Sequence, residues 1–201
     1  GGYDTWIRFM AYSGLRFGES AALKVRRFDP LRSRVDVSES LADVRGQLIV
    51  GATKTYAQRT VTLPRSITDE IAGMLGQRMN DPEALVFTSE RGKEMRAGNV
   101  RRVFLRAVAE AGLDVDGRHV RIHDLRHTAV AVAVASGAHP QAIKERLGHS
   151  SITTTLDRYG HLFPVIDETL ADGLEALRSE AVRGVSWTNR GQEVVQLDRS
   201  A

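Results

Sequence analysis

Gly137, Pro140 and Gly148 cut the stretch from His123 to Tyr159 into short helices and rule out one continuous helix. The first helix runs from about His123 to Ser136 and ends at Gly137. The next starts at Pro140 and stops at Gly148. The residues able to do chemistry lie at the seams. His123 and Arg126, three apart, share one face at the start of the first helix. His149 follows the second, and Tyr159 comes ten residues after it. A similar stop occurs near the amino end. Apolar residues at 6, 7, 9 and 10 predict a helix over Asp4 to Tyr12, Gly14 ends it, and Arg16 falls on the turn into a short helix, Gly18 to Leu23.

Between these regions the patterning changes. Val35-Asp36-Val37, Leu48-Ile49-Val50 and Thr60-Val61-Thr62-Leu63 are short β-type runs punctuated by Gly46 and Gly51, which predicts a small antiparallel sheet. Lys54 falls between the last two runs, on or near a hairpin turn. Pro64 and Ser66 open a helix through about Met79, with Ile71, Met74 and Leu75 on its buried side. Asn99 to Ala111 is a further helix, with Val100, Val103, Phe104, Ala107 and Val108 at core spacing. After Pro164, Ile166, Leu170, Leu174, Leu177 and Ala181 advance by three or four residues and make an amphipathic helix. Beyond Gly184 the pattern fades into a polar tail. The fold class expected is α+β, mostly α-helical with a small antiparallel β-sheet, with residues 1–183 as one domain and 184–201 as the tail.

Composition excludes several classes. With 42% hydrophobic and 26% charged residues over 201 positions, the chain reads as a globular domain able to bury a core. No apolar run approaches the roughly 20 residues of a membrane span. Gly-Gly-Tyr-Asp-Thr-Trp at the start lacks the basic and apolar regions of a signal peptide. The absence of cysteine excludes disulfides and thiolate zinc sites and fits a reducing cytoplasm. Charge is unevenly spread: residues 91–126 carry nine Arg/Lys against five Asp/Glu, and 164–183 carry two against five. A basic middle suits a phosphate-facing cleft, and an acidic end suits a segment facing protein or water.

Arg16, His123, Arg126, His149 and a late Tyr159, two arginines alternating with two histidines, supply what metal-free cleavage of a phosphodiester needs. A phenol can serve as nucleophile, although its ordinary pKa near 10 calls for nearby cations or a base. Two guanidinium forks can match the charge that builds on the equatorial oxygens at phosphorus. His123 and His127 are four apart, a spacing also found in metal sites. The glutamate of the usual His-Glu-x-x-His pattern is missing and Arg126 stands between them, so His127 is expected as a packed or hydrogen-bonded structural residue.

From about Tyr3 to Phe163 the sequence resembles the catalytic domain of the tyrosine recombinases, the phage-integrase family. Ser13-Gly14-Leu15-Arg16 with Glu19 resembles the first arginine box of that family. Thr53-Lys54-Thr55, with Arg59-Thr60-Val61-Thr62-Leu63-Pro64, resembles its lysine hairpin. His123-Asp124-Leu125-Arg126-His127-Thr128 resembles the His-x-x-Arg box, Leu147-Gly148-His149-Ser150-Ser151 the second histidine box, and Thr153-Thr154-Thr155 leading to Tyr159-Gly160-His161 the nucleophile segment.

The resemblance implies a DNA breaking-rejoining fold and site-specific strand exchange through a 3′-phosphotyrosine, with no metal, ATP or other cofactor. It implies Tyr159 as nucleophile, Arg16 and Arg126 as the phosphate clamp, and His123 as acceptor of the Tyr159 proton. His149 would donate to a non-bridging oxygen, and Lys54 would act as the acid at the leaving 5′ oxygen, with Arg59 its neighbour and rival. Glu19 is either a buried partner of Arg16 or a helix-start carboxylate. Arg96, Asn99 and Arg102 begin a basic helix and offer phosphate or base-edge contacts as readily as a solvated face. The partner implied is double-stranded DNA. The carboxyl-terminal helix could pack on its own domain, but the resemblance implies docking on a neighbouring subunit, giving a homotetramer on DNA from a chain monomeric in isolation, in a bacterial or phage-encoded cytoplasmic protein. The family's separate amino-terminal DNA-gripping domain finds no counterpart here, so a catalytic-domain piece with weak, salt-sensitive DNA binding is expected. Two alternatives stay open: a type IB topoisomerase-like activity, which shares the chemistry, and a non-catalytic regulator reading Pro140 to Thr155 as a helix-turn-helix.

Overall fold

The apolar repeat at Trp6, Phe9 and Met10 winds into α1, Gly2–Ser13, and all three side chains are buried. In the computed structural model, residues 2–53, 58–113, 119–162 and 166–182 are described. Lys54 and the tail 184–201 lie outside the described residues. After α1 come α2 (Phe17–Ala21), β1 (Phe28–Asp29), β2 (Arg34–Val37), β3 (Glu39–Val44), β4 (Gln47–Ala52) and β5 (Arg59–Thr62). They are followed by α3 (Arg65–Leu75), α4 (Ala97–Glu110), α5 (Asp124–Ala135), α6 (Pro140–Leu147), α7 (Ile152–Tyr159) and α8 (Ile166–Val182). The chain divides into two compact units, Gly1–Leu162 and Phe163–Ala201, and α8 belongs to the second. Among the described residues, no helix is long and apolar enough to cross a membrane.

The first unit is built around α1. Its inner face meets Ile67, Ile71 and Leu75 of α3, and α5 packs along it with Ala129, Val130 and Val134 buried. The Phe9 ring lies 4.9 Å from that of Phe87, and Trp6 meets Phe17 edge-on while its indole N–H donates to Ser20 Oγ at 3.0 Å. Burying a side chain such as Phe9 contributes about 1.5–3 kcal/mol. The strand order β1-β2-β5 is antiparallel, with Val35 opposite Val61, and both valines point into this core.

Two expectations need correction. One small sheet was expected, but there are two, because β4 pairs with β3 and β5 pairs with β2. The runs on either side of Lys54, β4 and β5, therefore belong to different sheets. Strand β3 escaped the pattern because only Leu41 in it is buried. Backbone pairing and a two-residue turn make the β3–β4 hairpin: Arg45 and Gly46 both have positive φ, and Gly46 N–H donates to Asp43 Oδ1 at 3.0 Å. The helix expected through about Met79 stops at Leu75, where Gly76 turns to φ +51 and a 3-10 turn over Gly76–Asn80 follows.

Helix α2 lies so close to β3 that a Cβ on Gly18 would sit 2.5 Å from the Leu41 carbonyl oxygen. Backbone cannot retreat as a side chain can. Gly18→Ala is therefore expected to destabilise the chain by about 1–3 kcal/mol. Gly73, in the exposed middle of α3 with nothing within 4 Å of its added Cβ, should instead gain about 0.4–1 kcal/mol on change to alanine. Urea unfolding of the two variants beside the parent reads both signs.

Candidate active site

Four chain segments meet where α1 ends. Gly14 takes φ +70, and a Cβ there would approach Leu147 Cδ2 at 3.0 Å and Ala129 Cβ at 3.3 Å, so the α1–α2 turn is pressed against α5 and α6. An L side chain would meet both backbone strain and these neighbours. Two residues on, Arg16 stands at the N-cap of α2 in extended conformation. Its backbone N–H donates to Glu19 Oε2 at 2.9 Å, and its Nη1 donates to Oε1 at 3.1 Å. The two readings of Glu19 thus hold together: it caps the helix start and pairs with Arg16.

Glu19 has a second partner. Arg59, at the start of β5, donates Nη1 to Oε1 at 3.1 Å and Nη2 to Oε2 at 2.7 Å, and its Nε donates to the Arg146 carbonyl at 2.9 Å. The Glu19 and Arg59 side chains are 1% and 8% exposed. Burial alone would push the Glu19 carboxyl up, but the hydrogen bonds and charges of Arg59 and Arg16 hold it below the usual carboxylate range. Arg59 thus braces the site from behind. Its guanidinium also lies against Gly148, where an added Cβ would come within 3.0 Å of Nη1.

Arg126, in the first turn of α5, is buried. Its Nη1 donates to the Gly14 carbonyl and its Nη2 to the Leu147 carbonyl at 2.7 Å. This guanidinium joins the segments that carry Arg16 and His149. Burial, then the Arg16 charge, lowers its pKa to about 10, so it remains a cation at neutral pH. Two of its five N–H groups are used by carbonyls, which leaves three for a ligand.

Gly148 ends α6 in the left-handed conformation and delivers His149, whose Nδ1 lies 3.0 Å from Thr155 Oγ1 on α7. Burial, reinforced by Arg126 and Arg16, lowers the His149 pKa to about 4. The ring is therefore neutral at physiological pH. In the tautomer protonated at Nε2, Nδ1 accepts from the Thr155 hydroxyl and Nε2–H remains to be donated.

Tyr159 is the last residue of α7 and is buried. Its hydroxyl lies 2.9 Å from His127 Nδ1, with the two rings 5.5 Å apart. His127 in turn meets His123 edge-on at 5.2 Å. Burial raises the phenol's pKa, and Arg126 and Arg158 oppose that rise. His123 caps the start of α5 and is exposed. Its pKa is lowered by partial desolvation, then by His127 and Arg126.

The sequence reading named Arg16, His123, Arg126, His149 and Tyr159, and the fold gathers all five around the α1–α2 turn and the starts and ends of α5, α6 and α7. Lys54 lies outside the described residues. Arg96, Asn99 and Arg102 stand exposed around the start of α4: Arg96 Nη1 donates to Asp43 Oδ2 at 3.0 Å and to the Gly46 carbonyl, and Arg102 Nη2 to Asn99 Oδ1 at 2.7 Å. Their hydrogen bonds run to the β3–β4 turn and to each other. Sequence reasoning missed Thr155 and the contact made by His127. Both were signalled only by four-residue spacing, from Tyr159 and from His123. Among the described residues, no group of three or more His, Cys, Asp or Glu side chains could hold a metal ion. A groove of about 700 Å³ opens between β5, α5 and α6, lined by Tyr12, Val132 and Ile143 among others, and none of the five residues lines it.

The fold is that of a tyrosine recombinase catalytic domain. The Tn1549 transposon integrase, solved in complex with circular intermediate DNA, superposes with a TM-score of 0.70 at 22% identity, over 86% of this chain and 59% of that one. XerA recombinase gives a TM-score of 0.61 at 22% identity, over 93% and 64%. The ICEBs1 integrase of Bacillus subtilis (strain 168) is 30% identical over 186 residues, covering 87% of this chain and 49% of the relative. Residues 3–164 match the phage integrase family, and the chain belongs to it. It spans about half the length of the curated relatives it matches.

Removing the buried carboxylate should expose how far the site depends on it. Glu19→Gln leaves Arg59 buried without its charge partner, and a loss of about 3–5 kcal/mol is expected at pH 7. Because the folded pKa of Glu19 is depressed, its ionic contribution is complete above the ordinary value near 4.3 and fades as pH falls through the lower folded value. Urea midpoints of parent and variant should therefore differ widely at pH 7 and converge in acid. Parallel curves at every pH would contradict the assignment.

Proposed function

We propose that the chain is the catalytic domain of a site-specific DNA recombinase that cuts and rejoins strands by transesterification. The observation that carries this is the cross-brace made by Arg126, which ties the segments carrying Arg16 and His149 together, with the Tyr159 hydroxyl hydrogen-bonded to His127 on the same helix as Arg126. On this reading the Tyr159 oxygen attacks a backbone phosphorus, a 3′-phosphotyrosine bond forms and the 5′ oxygen departs. A 5′ hydroxyl of another strand then attacks the phosphotyrosine and releases the phenol. The bond exchanged is conserved in energy, so no nucleotide hydrolysis is required.

The geometry supports roles for the residues it describes, and the family resemblance supplies that of Lys54. Arg16 and Arg126 bind the non-bridging oxygens, and the charge added at the pentacoordinate stage makes that binding tighter than in the ground state. His149, held neutral and anchored through Nδ1 to Thr155, donates Nε2–H to one of those oxygens. A histidine at the start of α5 takes the phenolic proton. Lys54 protonates the departing 5′ oxygen, a role Arg59 is poorly placed to take with its donors turned to Glu19 and the Arg146 carbonyl. The partner is double-stranded DNA, in keeping with the Tn1549 integrase and its circular intermediate DNA. Arg96, Asn99 and Arg102 supply backbone or base contacts from α4. The leucines of α8, with Leu174 and Leu177 exposed, dock on a neighbouring subunit in a homotetramer on DNA. The protein acts in the cytoplasm of a bacterium, or of a cell carrying its phage.

A nicked duplex carrying the recombination site that borders the encoding element provides the test, run in EDTA beside Tyr159→Phe. A covalent protein–DNA adduct on a denaturing gel is expected with the parent and absent with the variant. Measurable DNA binding with no adduct would overturn catalysis in favour of a regulator.

A further inference from the structure

We propose that His127, not His123, is the base that deprotonates the nucleophile: its Nδ1 takes the Tyr159 proton as the phenolic oxygen attacks phosphorus. This rests on the transesterification reading above. The carrying observation is contact. His127 Nδ1 stands 2.9 Å from the Tyr159 hydroxyl, within reach for direct proton transfer. His123 makes no described hydrogen bond to that hydroxyl, and meets the His127 ring edge-on instead, with centroids 5.2 Å apart.

Exposure points the same way. Tyr159 is buried, so its proton needs a protein acceptor. His127 is half-buried and His123 is exposed, which places the two imidazoles in order from phenol towards solvent. The tautomer with hydrogen on Nε2 leaves the Nδ1 lone pair facing the hydroxyl. The step then balances. The O–H bond of Tyr159 breaks to give an N–H on Nδ1, the phenolic oxygen bonds to phosphorus, and the P–O5′ bond breaks. The 5′ oxygen receives its proton from a separate acid. On rejoining, the imidazolium returns its proton to the leaving phenol. The groups facing this proton are His123 and Arg126 on α5 and Arg158 and Tyr159 on α7, with Asp124 at the α5 start. The two arginines bias the phenol towards ionisation without being able to accept a proton.

The test is single-turnover cleavage by His127→Asn on the nicked duplex, at pH 6 to 9. The asparagine amide oxygen can still accept the phenolic hydrogen bond but cannot take the proton. The variant should cleave about 100-fold or more slowly at pH 7. Its rate should climb with pH across this range in step with the phenolate fraction, more steeply than the parent's. A 5′-bridging phosphorothiolate substrate, whose thiolate leaves without an acid, should not restore it. Placing a fluorinated tyrosine of lower pKa at position 159 should restore much of the rate. His127→Gln is the second variant if asparagine prevents folding. Cleavage by either folded variant within a few-fold of the parent, with the parent's pH dependence, overturns the proposal. Failure of the parent itself to form an adduct overturns the underlying reading and this proposal together. An adduct with the parent and none with Tyr159→Phe leaves the histidine variants to decide the base alone.

Discussion

Arg126 is held below the surface by backbone carbonyls at two helix ends, Gly14 just after α1 and Leu147 at the last position of α6. Helix carboxyl termini carry unsatisfied carbonyls and about half a negative charge each, so the guanidinium meets two of the few backbone sites that favour a cation. A buried cation costs several kcal/mol unless its donors are taken up. Here the same bonds that offset that cost also fix the directions of α1, α5 and α6. The site and the domain's closure therefore depend on one side chain. The three N–H groups left over are aimed by a frame that no solvent-exposed arginine could have.

Around that frame, charge is deliberately unbalanced. Arg16, Arg59 and Arg126 face a single buried carboxylate, Glu19. The surplus is visible in the groups nearby: Arg16 contributes to lowering both Arg126, to about 10, and His149, to about 4. On the proposed reading, an arriving phosphodiester would relieve this mutual repulsion, and the extra charge of a pentacoordinate phosphorus would relieve it further. Much of the electrostatic reorganisation that such a substrate would demand is thus completed by folding. Arg59 makes this possible from behind. By taking both oxygens of Glu19, it holds the carboxylate that orients Arg16 without competing for the substrate face.

The parts of this arrangement that follow helical punctuation were legible in the sequence. Gly14, Gly137, Pro140 and Gly148 set the ends of α1, α5 and α6, and with them the positions of Arg16, Arg126 and His149. Strand β3 was not legible, because a hairpin held by backbone bonds and exposed on nearly every side chain leaves no apolar alternation to find. The end of α3 was missed because Met79 continued an apolar repeat beyond Gly76. At the site, Thr155 and His127 look like any polar residues on a helix. Their significance comes from packing α7 against α6 and from the resulting position of the Tyr159 hydroxyl. The alternatives left open for Glu19 could not be separated locally, since its second partner, Arg59, is 40 residues away.

The hydroxyl's setting also bears on why a base is needed in a site so rich in arginine. At rest, burial raises the phenol's pKa while Arg126 and Arg158 lower it, and Tyr159 remains a neutral, hydrogen-bonded alcohol. If the site binds a backbone phosphate as proposed, that charge neutralises part of the cationic field that favours the phenolate. Such a substrate would weaken the very electrostatic help that would ionise its attacker. Cations alone cannot both clamp the phosphate and keep the phenol acidic. A proton acceptor already in contact with the hydroxyl escapes this conflict, because its help does not fade as the phosphate binds.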